Sequence, residues 1–550
     1  MRKLHLIFVA IGLLFSVGNV GAQSAPPDQI LVNGKVVTVD DTFSIAEAIA
    51  VRGNRIVAVG SNAEIRRLAG SGTKVVDVGG KTVIPGLIDN HVHVIRESTY
   101  WTQEVRFDGV TSRRKALEMI RDRANSARPG EWITVIAGWT EDQFKDEKSG
   151  FTLEELDRAA PRNPVYIQRL FDRAYINSLA IKAAGITDKT PNPKRGKIVR
   201  DKNGKPTGLL TGRSWRLVRG KIPKLSFEQI LASARAVTGV FNQVGVTSVL
   251  DVGGGGSYKP GYKAFEKLRK DGDLTIRTFY TLFQPKPDKL LKQLKSSSPP
   301  VRKDDYYQLI GIGETFYRPL HDNTYRDFKT NPKHSANLRE LADIAARKGW
   351  HVHMHATHDK SISHFLDIFE KVHKTTPLTP LRWVFAHADA VGPGSLARMR
   401  ALGMMVAIHS RTTIQGRMYH KKFGKKALGM PPLRAIRDSG VRWGLGTDTF
   451  GVAPYNPFYT LWWATTGKML DGSVVHNQTV SREDALRAHT RSNAYFLFQE
   501  DNLGSIEKGK LADLVILDRD YMTVPLDEIK EIRPTMTMVG GKVVYRSSSE

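Results

Sequence analysis

Two histidines two residues apart, His91 and His93, close the run VIPGLIDNHVH. Imidazole nitrogen is a ligand for zinc, and also for iron, nickel or copper. In an extended strand residues i and i+2 face the same way, so both rings could reach one ion. A lone His-x-His pair fits a solvated or hydrogen-bonded strand end equally well, so the argument for metal depends on further ligands. The 550 residues contain no cysteine, which excludes thiolate sites, disulfides and a cysteine nucleophile. Any ion must be held by His, Asp or Glu.

Further candidates stand at the ends of short apolar runs: Glu314 after YQLIGIG, His351, His353 and His355 in HVHMHAT, His387 in RWVFAHA, His409 in MMVAIHS and Asp448 in RWGLGTD. With GVTSVLDV, TIRTFYTLF and the run ending at His93, these are eight candidate strands. Helical patterns such as SANLRELADIAARKG lie between them. Eight strand–helix units predict an α/β fold, a closed (β/α)8 TIM barrel with its site at the strands' C-terminal ends. Each histidine alone fits a structural role; converging on one barrel mouth, the set predicts a metal site.

Both ends of the chain read as β-structure. QILVNGKVVTVD, AIAVRGNRIVAVG and TKVVDVGGKTVIPG carry Asn-Gly, Gly-Asn and Gly-Gly turns, the pattern of hairpins; LADLVILD and MTMVGGKVVY repeat it. Neither end can bury a core alone, which predicts one small composite β-sandwich from residues 28–84 and 498–550, with a hydrolase barrel over 85–497. About 97–225 is an ordered insertion after the first strand, with apolar runs WITVIAG and PVYIQRL and a hairpin-like ITDKTPNPKRGKIVRDKNGKPTGLL.

Residues 1–22 read as an export signal: Arg2 and Lys3, an apolar run from Leu4 to Val17, then Val20 and Ala22 before a cut at Gln23. This predicts a bacterial periplasmic or secreted protein with no stable membrane anchor. Removing Arg2 and Lys3 lowers the formal charge only from +27 to +25. The basic residues are dispersed, as in KKFGKK near 421–426, and no nucleic-acid motif accompanies them, so the expected partner is a small-molecule substrate. Oligomeric state is not legible.

PGLIDNHVH, MHATHD, FAHADA, GLGTD and the closing LGSIEKGKLADLVILD resemble the metal-dependent amidohydrolase superfamily, in particular its N-substituted formamide deformylase-like branch, over nearly the whole mature chain. The resemblance implies a barrel with a composite sandwich, and a centre of one or two divalent ions, zinc foremost. By position it implies His91, His93, His355, His387 and Asp448 as ligands, and a loop or supporting role for Asp359. The chain also departs from the pattern. Relatives place a carboxylated, bridging lysine at the end of strand four; here LIGIGETFY has none, and Glu314 is either a bridging ligand or an ordinary charged strand end. Asp172 in FDRAYINS stands where relatives carry histidine, and Gly212 where they carry glutamate.

The chemistry expected is hydrolysis of a non-peptide C–N bond. A bound divalent ion lowers the pKa of water from ~15.7 toward ~7. Asp448 is the candidate general base and His387 a candidate to polarise the carbonyl oxygen. Asp89 is expected to orient the strand end. Two alternatives stay open: a deaminase of the same superfamily, and a barrel retained for ligand binding without turnover.

Overall fold

A computed structural model describes residues 25–253, 259–326 and 328–548. The export signal lies outside these residues. Eight parallel strands form the central sheet: β1 (Leu87–Val92), β2 (Val246–Asp251), β3 (Arg277–Leu282), β4 (Tyr307–Ile312), β5 (His351–His358), β6 (Val384–Ala390), β7 (Met405–His409) and β8 (Arg442–Gly446). Their spatial order follows the chain. The barrel closes just beyond β8, where Asp448 N donates to His91 O (2.9 Å) and His93 N to Thr449 O (3.0 Å). The strands are buried almost throughout, as expected for a parallel sheet covered by helices.

The helix Arg491–Phe496 plugs the barrel's lower end. Phe496 packs on Val384, Met405 and Ala407, while Ala494 and Leu497 pack on Ile88, Leu250 and Phe279. Asn493 donates from Nδ2 to the carbonyls of Ile88 and Leu445, both at 2.6 Å, and so ties the first strand to the last.

Both chain ends build the sandwich. One sheet runs, in order, Arg55–Gly60, Ala48–Arg52, Gln29–Val32, Lys74–Asp77; the other runs Lys542–Arg546, Pro534–Val539, Leu514–Leu517, Thr82–Pro85, Lys35–Val37, Ile45–Ala46. The hairpin expectation needs correction here. Only the Gly-Asn turn at 53–54 and the Gly-Gly turn at 540–541 join paired strands. At 33–34 and 79–80 the chain instead crosses from one sheet to the other: Gln29–Val32 pairs with Ala48–Arg52 and Lys74–Asp77, not with Lys35–Val37. Of that Asn-Gly pair only Asn33 takes a positive φ (59°), so the two-residue turn that needs both is not formed. Leu31, Ile49, Val83, Leu514 and Met538 meet between the sheets. Arg277 of β3 forks onto Asp513 at 2.9 and 3.0 Å, fastening the sandwich to the barrel through a buried ion pair.

The insertion forms its own five-stranded sheet, ordered Gly196–Arg200, Pro206–Gly212, Arg173–Ile176, Val165–Arg169, Ile133–Ile136, with an apolar cluster on each face. Trp139 is wholly buried there and donates to Gln168 O (2.8 Å), so it packs the insertion and does not line the barrel mouth.

Candidate metal centre

The C-terminal ends of β1, β4, β5, β6 and β8 bring the sequence-derived residues together. Asp89 holds the first and last of these in register. Its Oδ1 accepts from His91 N (3.1 Å) and Thr447 N (3.1 Å), and its Oδ2 accepts from Thr447 Oγ1 (2.7 Å). Burial pushes the Asp89 carboxyl up to about 7 despite these donors. His387, Ala388 and Asp448 all take left-handed φ values, of 78°, 47° and 59°. Such backbone costs roughly 1–3 kcal/mol per residue and tends to mark functional sites.

Glu314 lies at the centre. Its Oε1 accepts from His355 Nδ1 (2.9 Å) and lies 3.3 Å from His387 Nε2, while its Oε2 lies 3.7 Å from His93 Nε2. Asp448 Oδ1 is 3.5 Å from both His91 Nε2 and His93 Nε2. The separations at Asp448 and to His93 are long for hydrogen bonds, and His91 Nε2 has no hydrogen-bond partner although buried. They fit shared coordination: two ligands on one tetrahedral zinc, each at about 2.1 Å, lie roughly 3.4 Å apart. The donor set therefore fits a divalent cation. Among the described residues, three sets of side chains bring ligating atoms close enough to share an ion: His91, His93 and Glu314; His91, His387 and His409; and Glu314, His321 and His355.

Charge supports this reading. Burial would raise the Glu314 carboxyl, but hydrogen bonds to His355 and His387 hold it well below the usual range. Asp448 is likewise held ionised against burial, chiefly by the Arg411 guanidinium. Burial, and then neighbouring His409, keeps His91 neutral, the form that ligates; burial and Arg411 do the same for His387. His355 goes the other way. Burial would lower it, but hydrogen bonds to Asp322 and Glu314 raise it to about 9.

The remaining histidines and aspartates take supporting places. His353 Nε2 is 3.1 Å from His91 Nδ1, fixing that ring from behind. His351 hydrogen-bonds the Leu381 carbonyl (3.2 Å), deeper in the barrel. His358 reaches the Asn323 carbonyl (2.9 Å) and Asp359 accepts from Gly392 N (2.7 Å), so neither faces the centre. Tyr317 bonds His334 and packs in the core. His409 is in the cluster: its Nδ1 is 2.7 Å from His387 Nδ1.

Four participants were not picked out by sequence reasoning. Arg411, two residues beyond His409, donates from Nε to Asp448 Oδ2 (2.9 Å), and its Nη2 is 3.2 Å from His387 Nε2. Asp389 receives the other end of Arg411 at 3.4 Å. Asp322 Oδ1 is 2.9 Å from His355 Nε2, and its Oδ2 accepts from the amides of Thr357 (2.8 Å) and His358 (3.0 Å). His321 stacks on His355 with ring centroids 3.7 Å apart. Arg411 and Asp389 had a usable signal, each two residues beyond a histidine at a barrel strand end; Asp322 and His321 did not.

Above the centre opens a cavity of about 630 Å³. His93, Glu314, His355 and Asp448 form its floor, and Leu170, Phe171 and Asp172 of the insertion form part of its wall. Asp172 is paired with Arg169 (2.5 Å). Gly212 is exposed and does not line the cavity.

Comparison with known proteins agrees with this architecture. The Amidohydrolase family model matches residues 74–545. Protein LONG AFTER FAR-RED 3 of Arabidopsis thaliana is 31% identical, covering 94% of this chain and 91% of its own length. N-substituted formamide deformylase of Arthrobacter pascens is 27% identical over 94% of this chain and 98% of its own. A crystal structure of an uncharacterised metal-dependent hydrolase from Pyrococcus furiosus superposes with a TM-score of 0.65 at 23% identity, covering 90% of this chain and all of that one, a likeness of fold. With a family model spanning most of its length and relatives matching it nearly end to end, this protein belongs to the amidohydrolase family and is a metal-dependent hydrolase of that superfamily.

Proposed function

We propose that the protein is an exported hydrolase of a non-peptide C–N bond, in an amide, N-acyl or cyclic amide, working with zinc. The observation that carries this is Glu314, one oxygen near His355 and His387 and the other near His93, within a residue or two of the place where relatives carry a bridging lysine. We take it as the bridge between two cation positions. A divalent ion there supplies activated water at neutral pH and polarises a carbonyl. The chain's own groups do the rest. Asp448 is held ionised with one oxygen on Arg411 and the other facing His91 and His93. That oxygen, beside the cation position, takes the attacking water's proton and returns it to the departing nitrogen. His387, whose Nε2 lies 3.3 Å from Glu314 Oε1, is a ligand in this two-ion reading and would polarise the oxygen that gains charge only in a one-ion centre. Leu170 and Phe171 close the cavity wall and limit bulk water.

The name of the Arthrobacter pascens relative, a deformylase of N-substituted formamides, supports an amide substrate. Export rests on the first 22 residues; a periplasmic chain whose mass begins at Gln23 is the expected product. The deciding experiment is elemental analysis per chain with a hydrolysis screen over N-formyl, N-acyl and cyclic amides. Zinc should be found and an amine released. His91→Ala should lose metal, and Asp448→Asn should lose turnover by about 10³-fold or more while the fold survives. Full turnover in metal-free protein, or in Asp448→Asn, refutes the reading. Ammonia as the released product selects a deaminase instead.

A further inference from the structure

The approach to the cavity is lined with arginine. Arg96, Arg326 and Arg411 line the cavity itself. A smaller depression shares Arg96, Phe171 and Gly451 with it and adds Arg216. Beyond that, on the insertion, a groove is lined by Lys194, Arg195, Arg213 and again Arg216. The three depressions are contiguous through shared residues, so one basic lane leads from the insertion's surface to the floor that holds Glu314 and Asp448.

Within the cavity Arg411 is paired with Asp448 (2.8 Å) and Asp389 (3.4 Å), whereas the exposed cations farther out are not so engaged. Arg195, Arg213, Arg216, Arg318 and Arg326 are all exposed, and among the described residues none has a carboxylate within ion-pair distance. Elsewhere the arginines are commonly paired, as in Arg398 with Asp367 (2.7 Å) and Glu370 (2.6 Å). Loss of hydration, and then the neighbouring cations Arg216, Arg195, Arg326 and Arg318, push the Arg213 guanidinium below the ordinary value. The acid on the cavity wall, Asp172, is engaged by Arg169 (2.5 Å) and Arg173 (3.4 Å). Crowding like charges opposes folding, and its return is a focused field that concentrates anions at a cleft. When cations occupy the centre, Asp448 and Glu314 are offset by them, which leaves the arginines dominant in the cavity.

We infer that the substrate is anionic, an amide bearing a carboxylate near the scissile bond, as in an N-acylated amino acid. Its acyl–nitrogen bond lies on the floor and its carboxylate is held by the arginines of the mouth, Arg326 and Arg216 foremost. Guanidinium suits this because it grips a carboxylate with two parallel N–H donors.

This rests on the hydrolase reading above, and the test separates the two. Zinc-loaded full-length protein is titrated calorimetrically with N-formylphenylalanine and with its uncharged carboxamide, at low and at high salt. The carboxylate should bind about tenfold or more tightly, with the advantage shrinking as salt rises. The double variant Arg216→Gln, Arg326→Gln should lose the preference with metal content and melting temperature unchanged. Arg216→Lys, Arg326→Lys should keep part of it. Equal affinity for both probes, binding of neither, or a preference that survives in the glutamine variant overturns the proposal. Hydrolysis of neutral amides without selectivity refutes this inference and leaves the hydrolase reading; selective binding of the carboxylate without turnover of any amide does the reverse.

Discussion

Arg411 and Asp448 divide the labour of one carboxylate. Arg411 takes Oδ2, with Nε at 2.9 Å and Nη2 at 2.8 Å, and leaves Oδ1 to face His91 and His93 at 3.5 Å. The fork sets which oxygen points at the centre and places a fixed positive charge beside it. Arg411→Gln should therefore do two opposite things. Zinc affinity should rise, seen as slower loss to a chelator, because a cation no longer competes for Asp448 and His387. Turnover should fall about 100-fold, because Asp448 is no longer aimed. Arg411→Lys should recover only part, lacking the planar fork. Faster zinc loss in Arg411→Gln would contradict this account.

Glu314 should matter for metal count before anything else. Glu314→Gln keeps the size of the side chain but removes the charge shared between His355 and His387 on one side and His93 on the other. Zinc per chain should drop by at least one ion, read by elemental analysis, and turnover should fall about 10³-fold. Unchanged metal content would return Glu314 to an ordinary strand end.

Asp322 should be a stability residue as well as a support. Its buried carboxylate receives two backbone amides and lies 2.9 Å from His355 Nε2. Asp322→Ala leaves those donors unsatisfied and should cost on the order of 3 kcal/mol in denaturant unfolding. Metal affinity should fall about 10- to 100-fold as His355 loses its orientation.

Acid should destabilise the fold through histidines outside the centre. His476 donates from Nε2 to Trp463 O (3.2 Å) and accepts from Gln478 N (3.2 Å), a neutral ring that burial holds down to about 4. His489 is likewise lowered to about 4 by burial. For a base whose folded pKa lies below its unfolded value near 6.5, stability is full above that value and falls as pH drops toward 4. Each should lose on the order of 2–3 kcal/mol between pH 7 and 4.5. Melting temperature against pH should show this, with a shallower slope in His476→Gln. Parallel slopes would place the titration elsewhere.

The sequence by itself determined the kind of ligand and the fold that gathers it. Absence of cysteine, the alternation of His91 with His93, and acids or histidines closing apolar runs are local patterns. Periodicity and the strand-end rule of parallel barrels are enough to read them. The sandwich was legible as a composite of both ends but not in its pairing, because the turns at 33–34 and 79–80 carry hairpin residues while sending the chain to the other sheet. Only the tertiary structure decided that Glu314 turns one oxygen to His355 and His387 and the other to His93, that Arg411 forks onto Asp448, and that Asp322 and His321 hold His355. Those contacts are made by residues just past the strands, where loop backbone sets direction and no repeating pattern encodes it. The arginine lane has the same origin: its members are scattered from Arg96 to Arg411 in a basic sequence and become one surface only when the insertion folds over the barrel mouth.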